Sequence, residues 1–73
     1  MNSIEIFKTN VAKKREAKQL VEEMASHFPK YKINFDLEDC DKILRVENKK
    51  GSIRTSSIIN LLKNKHIECE VLN

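Results

Sequence analysis

The sequence predicts an α+β domain with the element order βαββαβ, a four-stranded antiparallel sheet carrying two helices on one face. Three observations lead there. Ala17, Leu20, Val21, Met24, Ala25 and Phe28 recur at spacings of three and four, which lays an apolar stripe along one side of a helix. Elsewhere apolar and polar residues alternate, at Ile33-Phe35-Leu37, at Leu44-Val46 and at Ile67-Cys69-Val71, the period of half-buried strands. Finally, 73 residues make one domain, 1–73, because a chain this short buries only about 60% of its unfolded surface and has nothing to spare for a second core.

Each element has its own justification. SIEIFK, residues 3–8, predicts a first strand with Ile4 and Ile6 turned toward the core. Thr9 or Asn10 is expected to cap the helix that follows, a helix of about four or five turns that Pro29 brings to an end. LEDCDK, residues 37–42, supplies a polar turn between two strands and makes them a hairpin. After the break at Lys49-Lys50-Gly51, Thr55 is expected to cap a shorter helix with Ile58, Ile59, Leu61 and Leu62 on its apolar side and Asn64 as its stop. Packing both helices on one face gives the ferredoxin-like arrangement with strand order 4-1-3-2. That order gathers the loop after the first strand, the 38–42 turn and the loop before the last strand at one end, where a site is expected.

Composition narrows the classes. Apolar content of 40% with one Gly and one Pro describes a folded globule, and 34% charged residues a well-solvated surface. No apolar run approaches the roughly 18 residues of a membrane span, and MNSIEIFKTN has no basic region followed by an apolar core, so no membrane partner and a cytoplasmic location are expected. Cys40 and Cys69 are too few for a disulfide framework and are expected to be reduced. A net charge of +3 implies mild attraction to acidic partners.

The stretch TNVAKKREAK, residues 9–18, is the most informative for function. Lys13, Lys14, Arg15 and Lys18 stand against Glu16 alone where a helix begins. The helix start is the positive end of the macrodipole, and each cation there is disfavoured by roughly 0.3–1 kcal/mol. These four residues are therefore the expected partner-binding set, facing an acidic protein surface whose encounter they would speed. The competing reading is a solvated helix face, the usual fate of a charge run.

Other candidates are weaker. Cys40 and His66 are possible metal ligands at the site end, but two or three strand steps of ~4.8 Å place them roughly 10–15 Å apart, so no metal is expected from the chain's own residues and no cofactor is assigned. Cys40 sits in Glu38-Asp39-Cys40-Asp41, where neighbouring carboxylates disfavour a thiolate, and it is expected to pack partly inward. His27 suits the end of the first helix as a cation at its negative pole. No nucleophile and base are brought together by this topology, so catalysis is not expected. The uncovered sheet face is expected to show Phe7 and Ile43 among Glu5, Asp36, Glu47 and Glu70, with Asn34, Arg45 and Glu68 beside them. One aromatic among carboxylates repels a phosphate backbone, so no nucleic-acid partner is expected.

The helix ending in Phe28-Pro29, the hairpin INFDLEDCDKILRVE and the closing SIINLLKNKHIECEVL together resemble a heavy-metal-associated domain, the βαββαβ module of small copper chaperones and of metal-transporting ATPases. The resemblance implies the ferredoxin-like fold and a first loop that holds a soft metal on two thiolates. The family's MxCxxC motif is absent, and its place reads T-N-V-A-K-K-R. What the resemblance then implies is a docking module without the thiolate site. The alternative is Cu or Zn handling through a partial site at Cys40, completed by a partner or a second copy of the chain.

Overall fold

The computed structural model describes residues 3–72. Its elements are β1 (Ser3–Thr9), α1 (Lys14–His27), β2 (Tyr31–Asp36), β3 (Ile43–Asn48), α2 (Thr55–Lys63) and β4 (Cys69–Val71). The strands form one antiparallel sheet in the order β2-β3-β1-β4, the ferredoxin-like order expected. Both helices lie on one face, where Ala17, Leu20 and Met24 of α1 and Ile58 and Leu62 of α2 meet Ile33, Leu44 and Val46 from the sheet. Half-buried Val21, Phe28, Ile59 and Leu61 close the margins, while Ala25 is exposed. At ~25 cal/mol per Å² of apolar surface removed from water, this single layer is the main source of stability.

β1 corrects the sequence reading. Phe7 is fully buried and Thr9 and Val11 lie under the helices, whereas Ile4 is 46% exposed. Both parities of SIEIFK carry an apolar residue, so alternation alone leaves the phase open; the larger ring takes the covered side. Register follows from it, since Phe7 lies opposite Leu44 on β3 and Val71 on β4, which are core positions. Hence the open face holds Ile4, Ile6 and Lys8 from β1 in place of Glu5 and Phe7.

The caps also differ. α1 begins at Lys14 with Lys13 as its N-cap, and neither Thr9 nor Asn10 caps it. Thr9 instead bonds its own turn, accepting the Val11 N–H at 3.2 Å and donating to the Lys42 carbonyl at 2.6 Å. Asn10 accepts the Glu68 N–H at 3.1 Å. In α2 the N-cap is Arg54, and Thr55 is the first helical residue. That helix ends with Ile67 N–H bonded to the Leu62 carbonyl and His66 N–H to the Lys63 carbonyl, a Schellman motif. His66 takes the left-handed position at φ 64°, a place glycine would occupy without strain.

Candidate functional site

Three loops converge at one end of the sheet. β1 delivers the chain to residues 10–13, and the 37–42 turn is tied beside it by the Thr9 N–H to the Asp41 carbonyl at 3.1 Å. The loop before β4 joins through the Asn10 bond to Glu68. Here the cations of α1 stand: Lys13, Lys14, Arg15 and Lys18 are all exposed. No ion pair to any of them occurs among the described residues.

Lys13 has an unusual placement. Its backbone, φ −104° and ψ 133°, is the extended geometry of an N-cap, yet its side chain makes no capping bond. Glu16 stands three residues on, where the second partner of a capping box belongs. Serine or aspartate would satisfy an orphan N–H at that point, and lysine adds a positive charge to the positive pole. The start of α1 therefore breaks a stability rule while the rest of the helix obeys it.

The acids of the 37–42 turn make the potential at this end mixed. Asp39 Oδ1 accepts the Asp41 N–H at 2.9 Å, and Lys8 Nζ lies 3.8 Å from Asp41. Lys42, at φ 48°, donates its ammonium to the Leu37 carbonyl at 3.1 Å, which closes the turn. A uniformly negative chain is repelled by Glu38, Asp39 and Asp41, while a protein surface carrying both signs can pair with both patches.

Cys40 does not pack inward as expected; it is exposed at the tip of the turn, which the carboxylates of Asp36 and Asp39 shape by accepting the Glu38 and Asp41 N–H groups. Ligand atoms of Asp39, Cys40 and Asp41 lie within 4.8 Å of one another. His66 is not among them. Two carboxylates and one thiolate are donors that Zn(II) accepts, but they are three where a closed site wants four, and the Lys8 ammonium competes for Asp41.

Instead His66 lines an open groove along the β4 edge with Lys8, Ile59, Lys63, Cys69 and Glu70. Burial, reinforced by the Glu70 carboxylate, pushes the Cys69 thiol up to about 11, so it is protonated at neutral pH and is no nucleophile. Cys69 packs against the core, the inward orientation read from its parity.

A second groove, which the sequence reading missed, lies at the opposite end of the sheet. Lys30, Lys32, Lys49, Lys50 and Arg54 line it with Glu47. These residues are scattered over a turn, two strands and a loop, and only the pairing of Tyr31 with Asn48 brings them together. The single available signal was the Lys49-Lys50 pair, which reads as an ordinary loop break.

No helix among the described residues is long and apolar enough to cross a membrane. No family model matches the chain, and no characterised protein and no solved structure matches it either.

Proposed function

We propose that this chain is a small, non-catalytic docking module of the cytoplasm, of the heavy-metal-associated type but without its thiolate pair, that engages an acidic protein partner through the start of α1. Lys13 carries the reading: a lysine holds an N-cap whose backbone and whose Glu16 are arranged for serine or aspartate. A local rule broken without a gain in stability marks a residue kept for another purpose. Lys14, Arg15 and Lys18 extend the same exposed surface. Complementary charge of this kind mainly raises the association rate and selects the partner.

The test is an amide NMR titration with a synthetic peptide that carries a Glu cluster flanked by a few Lys residues, paired with stopped-flow association. Shifts over residues 11–18 are expected, and reversing Lys13, Lys14 and Arg15 to Glu should slow association by about tenfold or more at low salt. An unchanged rate, or shifts confined to residues 30–32 and 47–54, rejects α1 as the docking surface.

The clustering of Asp39, Cys40 and Asp41 favours one second reading, a partial soft-metal site completed by a partner or a second copy. Zn(II) and Cu(I) uptake under chelator competition, repeated with Cys40→Ser, separates the two. Uptake that survives the substitution rules the partial site out.

A further inference from the structure

The charge of this protein is unevenly placed. Five cations and one carboxylate line the groove at the far end of the sheet, a net +4 against +3 for the whole chain, so everything outside the groove sums to −1. The groove is therefore a second cationic region beside the start of α1, and unlike that end it has a single carboxylate among its cations.

The groove is built on fixed backbone. Asn48 is buried, donates from its amide to the Ser52 carbonyl at 2.9 Å and accepts the Lys50 N–H at 3.2 Å, which clamps the loop bearing Lys49 and Lys50. The Tyr31 hydroxyl accepts the Arg54 N–H at 2.9 Å, and its ring stacks on Phe28 at 5.1 Å. Arg54 is itself the N-cap of α2, with no capping side chain and no acid in the first turn. Repulsion among five cations is tolerated here although no carboxylate but Glu47 offsets it.

We propose that this groove binds the phosphodiester backbone of a nucleic acid, without reading its sequence. Five cations gathered in one depression with a single carboxylate are the electrostatic footprint of a polyanion-binding surface, and lysine ammoniums serve there as point charges on phosphate oxygens. A protein partner would need apolar or aromatic anchors at the centre of the interface. The lining offers none: Tyr31, its one large ring, is half-buried, stacked and hydrogen-bonded. Base readout on the sheet stays excluded, because with Phe7 in the core the open face carries no aromatic among the described residues. The expectation of no nucleic-acid partner rested on that face, and the groove lies at the end of the sheet instead.

Fluorescence anisotropy with two labelled probes of random sequence, a DNA duplex and a single-stranded RNA, tests this and separates the two sources of the same backbone. Dissociation constants in the range of about 10⁻⁴–10⁻⁶ M are expected near physiological salt. With four or so phosphates neutralised, duplex binding should weaken on the order of 10²-fold between 50 and 200 mM salt, and Lys49→Gln/Lys50→Gln should reduce the log–log slope by about 2. Both residues are exposed loop positions, so the fold survives the change, which circular dichroism verifies. The proposal is overturned by no binding of either probe at low salt, by a slope unchanged by the double substitution, or by displacement by polyglutamate as efficient as by unlabelled probe. Loss of binding in Lys13→Gln/Lys14→Gln with the groove intact would also overturn it, by moving the ligand to α1.

Discussion

Phe7 is the largest fully buried side chain, seated between Leu44 and Val71 beneath both helices. Ile4, three residues earlier on the same strand, lies on the opposite face, opposite Glu47. Truncating the two to alanine should therefore have very different costs. Phe7→Ala removes a ring and leaves a cavity, for about 3–5 kcal/mol, whereas Ile4→Ala should stay near 0.5 kcal/mol. Urea unfolding of both variants decides it, and equal losses would contradict the phase of β1. That phase was not legible from alternation, since Ile4, Ile6 and Phe7 populate both sides. The clue that could have set it was the continuation Phe7, Thr9, Val11, an unbroken run of bulky or β-branched residues on one parity that the structure buries throughout.

At the scale of elements, both helices begin with a cation at the N-cap, Lys13 for α1 and Arg54 for α2, and neither has a side-chain cap. Such starts leave N–H groups to solvent or to a ligand. Lys13→Ser should complete a capping box with Glu16 and stabilise the fold by about 0.5–2 kcal/mol. For a domain of this size that raises the thermal midpoint by roughly 4–8 °C per kcal/mol. A calorimetric scan showing no rise would mean that the β1–α1 loop cannot present the serine hydroxyl, and the argument from Lys13 would lose its basis. Helix interiors were legible because the apolar stripe from Ala17 to Phe28 has only one good period. The starts were not, because capping depends on loop geometry: Thr9 and Asn10, the right residue types for a cap, are committed to the Lys42 carbonyl and the Glu68 N–H.

Over the whole molecule, the sheet separates two surfaces of different character. Strands of six and seven residues, at about 3.3 Å per residue, set its ends roughly 20 Å apart, beyond the Debye length at physiological salt. At one end, cations of α1 share space with the acids of the 37–42 turn. At the other, cations stand almost alone. The two ends are therefore electrostatically independent, one of mixed charge and one almost uniformly positive. Their separation makes the α1 and groove variants mutual controls.

Sequence alone determined the class of this fold: element order, the helix interiors and the hairpin turn follow from local periodicity and turn chemistry, which involve neighbours a few residues apart, and the sheet order from the packing that such an element order favours. It also placed the cationic start of α1, because that feature is contiguous. Only tertiary structure decided which side of β1 meets the helices, that Cys40 is exposed and that His66 belongs with Cys69. The structure alone also drew Lys30, Lys32, Lys49, Lys50 and Arg54 into one groove. For the phase of β1 and for the groove the physical reason is the same: both depend on pairing between residues far apart in the chain, such as Phe7 with Leu44 and Tyr31 with Asn48, whose geometry no local pattern encodes.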